Sequence, residues 1–99
     1  MITVKHISSR TSSNFHDSHF EVTGVPMNNY NTLVISEALN DKTSKYGDEA
    51  FTPKPDGSSY MITVRGLASQ TIFTDSVALQ SYIISKLNEC SSKLKERNS

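Results

Sequence analysis

An apolar stripe at helical spacing runs through the last quarter of the chain. Its members recur every three or four residues and are Leu79, Ile83, Leu87, Cys90 and Leu94. Thr74, Asp75 and Ser76 precede the stripe and offer side-chain oxygens that can cap a helix. Because a helix with one apolar face is stable only when another layer covers that face, the stripe predicts a long helix packed on a second element.

Period-two alternation of apolar and polar side chains predicts strands for this second layer. In the first of them, Ile2, Val4 and His6 fall on one side, and Thr3 and Lys5 fall on the other. The predicted strands cover residues 1–7, 19–25, 50–53, 60–65 and 71–73. We expect neighbouring strands to pair as antiparallel hairpins, because short connections separate them.

The connecting segments carry different signals. Residues 8–18 include five Ser and are predicted to form a Ser-rich loop, because hydroxyl side chains favour bonds to nearby backbone. Apolar residues spaced by four predict a helix over 30–45, although the β-branched run at 33–35 leaves a strand as the competing interpretation. The segment K-P-D-G-S at 54–58 predicts a turn. Pro53 has no amide hydrogen and so predicts that the strand before this turn lies at a sheet edge.

These elements predict an α+β fold in the order β-β-α-β-β-β-α. We expect an antiparallel sheet of about five strands with two helices on one face. The 99 residues and 35% hydrophobic content suit one compact domain over 1–99, with a frayed C-terminus after about residue 96.

The letters M-I-T-V occur twice, at 1–4 and at 61–64, and a basic residue follows each time. Duplication of a strand is one explanation. Convergence is the favoured one, because strands draw on a small set of β-forming residues and the match does not extend further along the chain.

Charge and cysteine content limit the class of partner and the cellular compartment that we expect, but they do not identify a partner. Ten basic and ten acidic side chains give a formal net charge of zero, which removes the usual electrostatic footprint of a DNA-binding domain. Cys90 is the single cysteine, and the N-terminus lacks a signal-peptide pattern, so we expect a reducing, cytoplasmic location. No stretch approaches the roughly 20 apolar residues of a membrane-spanning helix.

Signatures of enzymes, metal sites and cofactor sites are weak or absent. His16 and His19 with Asp17 are the only local cluster of candidate metal ligands, and a zinc site needs three or four ligands. Cys90 lies on the apolar stripe, where a free cysteine usually packs as a small hydrophobe. Neither a nucleophile elbow nor a phosphate-binding glycine loop is present. The sequence therefore predicts no catalytic residue, no metal, no cofactor and no enzymatic activity.

Nucleic-acid binding is the alternative function. The predicted order α-β-β-β-α over 30–96 resembles that of a double-stranded-RNA-binding domain, but the second helix begins at Thr74-Asp75-Ser76, with an acid where that family has lysines. A local basic patch at the C-terminal helix, together with the sheet face, could still bind RNA. Its members are Lys86, Lys93, Lys95 and Arg97.

Three surfaces are candidates for binding a protein. The first is the sheet face turned away from the helices, which the alternation assigns to Lys5, Glu21, Thr23, Met61, Thr63 and Arg65. The second is the edge strand around Phe51, which could accept a partner strand unless Pro53 and nearby charges prevent such pairing. The third is the C-terminal helix, where Val77, Tyr82 and Ile84 widen the apolar stripe. These side chains either support a homodimer or, the slightly favoured interpretation, are buried completely within the monomer.

We therefore expect a small non-enzymatic protein that acts by stoichiometric binding to another protein or protein complex. Short chains without catalytic signatures commonly serve as inhibitors or accessory factors. Phage or mobile-element anti-defence proteins, such as anti-CRISPR proteins, belong to this class, as do immunity proteins and antitoxins. We expect no membrane partner, and RNA binding remains the alternative.

Overall fold

Four strands and three helices form the structure, a computed structural model that describes residues 1–96. In chain order these are β1 (Thr3–Ser12), β2 (Phe15–Thr23), α1 (Asn29–Leu39), β3 (Phe51–Asp56), β4 (Ser59–Leu67), α2 (Thr71–Thr74) and α3 (Ser76–Cys90), with a 3₁₀ turn over Ser91–Lys93. The fold is α+β with an antiparallel sheet, as predicted. Within the described residues the sheet has four strands instead of five, and the helices number three instead of two. The predicted fraying after residue 96 lies outside this range.

The sheet is built from two ββα units. The strand order is β1-β2-β4-β3 and every neighbouring pair is antiparallel, so the second strand of each unit lies at the centre and the first lies at an edge. The two M-I-T-V segments therefore occupy non-equivalent places, one at the start of the edge strand β1 and one inside the central strand β4. Convergence, the interpretation that the sequence favours, stays a prediction.

The helices cover one face of the sheet, which we call the inner face. Alternate residues of the central strands point to it, and Phe20, Tyr60 and Ile62 are fully buried there. The predicted stripe of α3 packs against them: Leu79, Ile83, Leu87 and Cys90 are buried, and Leu94 is partly buried beyond the helix end. The prediction of a long amphipathic helix on a second layer is confirmed.

Both long helices begin at side-chain caps. The Asn28 Oδ1 accepts a hydrogen bond from the Asn31 N–H at 2.7 Å, and the Asp75 carboxylate accepts one from the Ala78 N–H at 3.1 Å. The helical interpretation of the segment after residue 29 is thus correct, although α1 ends at Leu39 and not near residue 45. It ends there because Asn40 leaves the helical conformation, with a φ of −91° and a ψ of 57°, and its side chain bonds to the Phe51 backbone.

The predicted strand over residues 71–73 is wrong, because this segment forms the helical turn α2. Phe73 packs over Gly66 of β4, so closely that a Cβ atom at position 66 would lie 2.1 Å from the Phe73 Cγ. The helical turn brings this aromatic ring back onto the inner face, where it is buried. Tertiary packing here overrides the local preference of Thr, Ile and Phe for strands.

The predicted Ser-rich loop over 8–18 is also wrong. β1 and β2 pair through this region as far as Ser12 and Phe15, and the connection is only the two residues Ser13 and Asn14. Ser13 has a φ of 53°, the left-handed region. The hydroxyl groups bond across the strand pair: the side chains of Thr11 and His16 lie 2.7 Å apart. Cross-strand bonds thus replace the local backbone bonds that predicted a loop.

The hairpin predicted between β3 and β4 forms, but its turn is shorter than the predicted 54–58, because residues 54–56 belong to β3 and pair with β4. β3 and β4 pair from Phe51 to Asp56, and the chain reverses at Gly57, which has a φ of 66°. β3 is an edge strand, as Pro53 predicts.

Candidate interaction surface on the open face of the sheet

The face opposite the helices is open to solvent, and we call it the outer face. Cross-strand pairs place three rows of side chains on it: Lys5, Glu21, Met61 and Lys54; His19, Thr63 and Thr52; and Arg10, Asp17 and Arg65. Thr23 pairs with Thr3 at its margin. The six predicted sheet-face residues, Lys5, Glu21, Thr23, Met61, Thr63 and Arg65, are therefore brought together on one surface.

Phe51, the seventh predicted partner-binding residue, does not lie on this surface. Its side chain is only 3% exposed and packs against the rings of Tyr46 and Tyr82. The Phe51 ring belongs to the core, so contact of a partner with the edge strand around Phe51 stays a prediction that concerns the backbone and not this ring.

The β3 edge around Phe51 is also closed to an added strand. The Asn40 side chain pairs with the Phe51 backbone, accepting from its N–H at 2.9 Å and donating to its C=O at 2.8 Å. The Arg65 N–H donates to the Ala50 C=O, so Ala50 directs its backbone groups towards β4. Because this direction alternates along an antiparallel strand, Phe51, Pro53 and Pro55 direct their backbone groups away from β4. Proline has no N–H to offer a partner strand. These contacts favour the interpretation that proline prevents pairing at this edge, which stays a prediction.

One end of the outer face holds an arginine in a defined position. The Arg65 guanidinium carbon lies 4.5 Å from the centre of the Phe15 ring, and its Nε lies 3.7 Å from the Asp17 Oδ1. Leu67 pairs with Phe15 in the neighbouring strand, and both side chains are exposed. We call Phe15, Asp17, Arg65 and Leu67 the Arg65 patch.

The forces within this patch are moderate in size. A cation–π contact at an exposed site contributes about 0.5–1 kcal/mol. The Arg65–Asp17 ion pair adds about 0.2–1 kcal/mol, because solvent reaches both groups. The Asp17 Oδ1 is itself buried without a hydrogen bond, since 3.7 Å is too long for one. Arg65 is therefore positioned without being enclosed, and its side chain stays 59% exposed.

Three members of the Arg65 patch were missing from the sequence prediction. Phe15 and Asp17 were assigned to the loop over 8–18, and Leu67 was placed beyond the end of its strand. Continuing the alternation of β2 backwards from Glu21 through His19 would have put Asp17 and Phe15 on the same face.

A cleft of about 460 Å³ adjoins the patch. Arg65, Leu67 and Phe73 line it, and Asp48, Glu49 and Gln70 contribute polar groups. The cleft extends the concave surface next to Arg65 towards the loop that precedes β3.

The candidate metal ligands are not brought together. His16 bonds to Thr11 on the inner side of β2, whereas His19 bonds to Thr63 on the outer face at 3.1 Å. In the part of the chain that the structure describes, no three His, Cys, Asp or Glu side chains converge to hold a metal ion. Cys90 is buried, and its burial raises the pKa of the thiol.

The C-terminal helix surface is less open than predicted. The ring of Tyr82 packs against Tyr46, and its hydroxyl donates to the Leu39 C=O at 3.0 Å, so this partly buried side chain packs against the core. Ile84 is partly buried, and Val77 is exposed. The homodimer through this helix stays a prediction, and it now depends mainly on Val77.

The basic patch predicted for RNA is partly neutralised. Lys86 lies 3.5 Å from an Asp41 carboxylate oxygen and 3.9 Å from a Glu89 oxygen. Lys95 covers the Tyr30 ring at 4.4 Å. Arg97 lies outside the described residues.

Comparison of the chain with protein-family models, with curated proteins and with solved structures finds no match. Among the described residues, no helix has the length and apolar character needed to cross a membrane.

Proposed function

We propose that this chain is a non-enzymatic binding protein that associates stoichiometrically with another protein through the outer face of its sheet. The observation that carries the proposal is the Arg65 patch, in which an exposed arginine is held over Phe15 and beside Asp17. Arginine and aromatic side chains contribute a large share of the binding energy at protein interfaces.

Preorganisation makes this arginine suitable as a binding residue. An immobilised long side chain costs about 0.5–1.5 kcal/mol of conformational entropy at an interface. Contacts with Phe15 and Asp17 restrict the Arg65 side chain before a partner binds. Part of its conformational entropy is therefore lost when the protein folds and is not lost again on binding. Leu67 and Phe15 supply apolar surface next to it, and polar groups such as Thr63 surround them.

A protein that acts by covering a partner's surface serves as an inhibitor or an accessory factor. We therefore propose that the chain acts as a small anti-defence protein of a phage or mobile element, a class that includes anti-CRISPR proteins, or as an immunity protein or antitoxin. The partner is a protein or protein complex, and binding needs no cofactor.

RNA binding is the second candidate, favoured by the charges of the outer face. Four basic side chains, Lys5, Arg10, Lys54 and Arg65, share this face with two acidic ones, Asp17 and Glu21. Binding of single strands also relies on aromatic rings that stack on bases. Phe15 is the exposed aromatic ring of the Arg65 patch, and Arg65 covers it, so the protein partner is preferred.

Affinity capture from the native host tests this proposal. The tagged chain should retain one protein complex in a defined molar ratio, and nuclease treatment should leave the complex bound. Arg65→Glu should abolish retention, whereas Lys93→Glu, the same charge change on the exposed 3₁₀ turn after α3, should leave it intact. Loss of the complex on nuclease treatment would favour RNA instead, and equal binding by both variants would overturn the choice of surface.

A further inference from the structure

The two edges of the sheet differ in their backbone groups. At the β3 edge, Asn40 occupies the Phe51 N–H and C=O, and Pro53 and Pro55 offer no donor. Among residues 1–96, no side chain bonds to the edge backbone groups in the second half of β1 as Asn40 does at Phe51. Near the start of β1, the Gln80 side chain of α3 donates to the Val4 C=O at 3.0 Å.

The hairpin geometry determines which backbone N–H and C=O groups of β1 point away from β2, in the plane of the sheet. Ser12 and Phe15 flank a two-residue turn and so form a hydrogen-bonded pair, and the alternation of an antiparallel ladder gives Arg10 and Asp17 the same status. The intervening residues Ser9 and Thr11 therefore direct their N–H and C=O groups away from β2. No strand within residues 1–96 pairs with this side of β1. Two donors and two acceptors thus form a short open ladder.

Arg10 lies between Ser9 and Thr11, with its side chain on the outer face. Its positive charge determines which strand can pair with this edge. A second copy that used all four groups would set Ser9 opposite Thr11, and hence Arg10 opposite Arg10. Like charges directly opposite one another destabilise a strand pair, whereas opposite charges stabilise it. The open ladder therefore disfavours a second copy of this chain and favours a strand with an acidic residue at that position.

We infer that residues 9–11 of β1 accept an antiparallel strand from the partner protein, with an Asp or Glu opposite Arg10. Main-chain hydrogen bonds give such strand addition its affinity, and the side chain opposite Arg10 gives it selectivity. The row Arg10, Asp17 and Arg65 connects this edge to the Arg65 patch, so one partner can contact both. The inference rests on the proposed function in assuming a protein partner, but its test does not require that partner.

The probe is the protein itself with the Arg10→Glu change. Mixed with the wild-type chain, it presents a carboxylate opposite Arg10 in the register that pairs Ser9 with Thr11. We expect each protein alone to be a monomer by light scattering at about 200 micromolar and the mixture to contain a heterodimer. Hydrogen exchange at the Ser9 and Thr11 amides should slow at least about ten-fold in the mixture.

Two controls separate strand pairing from simple charge attraction. Thr11→Pro in both chains removes an outward N–H without touching the Arg10–Asp17 hydrogen bonds, and it should abolish the heterodimer. Lys42→Glu makes the same charge change at an exposed position outside the sheet and should give no heterodimer. If the Arg10→Glu chain does not fold, a synthetic peptide of residues 5–14 with that change replaces it.

The outcomes decide the inference. A mixture that stays monomeric, with unchanged exchange at Ser9 and Thr11, would overturn it. A wild-type dimer protected at these amides would show that a second copy occupies the edge and would also overturn it. Either result leaves the capture experiment with Arg65→Glu free to succeed, so failure of this inference is distinguishable from failure of the proposed function.

Discussion

The Asn31 side chain pairs with the backbone of Lys95 in the way a neighbouring strand would. The Lys95 N–H donates to the Asn31 Oδ1 at 2.8 Å, and the Asn31 Nδ2 donates to the Lys95 C=O at 2.6 Å. The same nitrogen donates to the Pro26 C=O at 2.8 Å, and the side chain is fully buried. One asparagine thus ties the segment after α3 to the start of α1.

Asn31→Asp should lower the free energy of unfolding by about 3 kcal/mol. A carboxylate keeps the acceptor for the Lys95 N–H but places negative charge beside two carbonyl oxygens. The Pro26 C=O loses its donor, whereas the Lys95 C=O keeps the Asn28 Nδ2–H at 3.1 Å. Urea unfolding at neutral pH measures the change. Asn29→Asp, at an exposed position two residues earlier, is the matched control and should shift the free energy of unfolding by less than about 0.5 kcal/mol. Equal effects of the two changes would contradict the role of Asn31.

Asn40→Ala should open the β3 edge at Phe51. Loss of the carboxamide leaves the Phe51 N–H and C=O without partners, at a cost of about 1–3 kcal/mol. Hydrogen exchange of the Phe51 amide should accelerate by at least about ten-fold, because its protecting acceptor is gone. Asn88→Ala on the exposed side of α3 is the control and should leave that amide unchanged. An unchanged exchange rate at Phe51 in Asn40→Ala would show that the edge is protected by other means.

Much of this fold could be predicted from periodicity alone. Burial imposes a period of two on β2 and β4 and a period near 3.6 on α3, so Phe20, Ile62 and Leu79 are recognisable as core residues from their spacing. The outer face follows from the same alternation, and so its six residues were assigned together. The residues of the surface opposite the helices could be assigned from this alternation without further information.

Contacts distant in the sequence decided the rest. Phe73 enters a helical turn because Gly66 leaves room for its ring, and no local pattern at 71–73 reports that space. The hydroxyls of residues 8–18 bond across β1 and β2, whereas the same composition in isolation favours a loop. Phe15 and Asp17 were lost from the candidate site through this one error. The roles of Asn31 and Asn40 depend on partners more than ten residues away, to which sequence spacing gives no guide.

The Cys90 thiol should be unreactive in the folded protein. Burial raises its pKa above the ordinary value, and the thiolate is the reactive form. Modification by a disulfide reagent at pH 8 should therefore be slow and should become fast in denaturant. Because the pKa of the thiol is higher in the folded than in the unfolded protein, the protonated thiol adds to the free energy of unfolding at pH values below the unfolded pKa. This contribution is lost as pH rises through the folded pKa. Equally rapid modification of the folded and the denatured chain would contradict this placement of Cys90.

Gly66→Ala should destabilise the protein through the ring of Phe73. The added Cβ would lie 2.1 Å from the Phe73 Cγ, so the ring or α2 must move, which costs about 1–3 kcal/mol or more. The melting temperature should fall accordingly. Phe73→Leu alone should also destabilise, because it removes buried aromatic surface. The double variant should be more stable than the sum of the two changes implies, since the smaller side chain leaves room for the new methyl group. Additive effects of the two substitutions would show that the ring does not pack against the glycine.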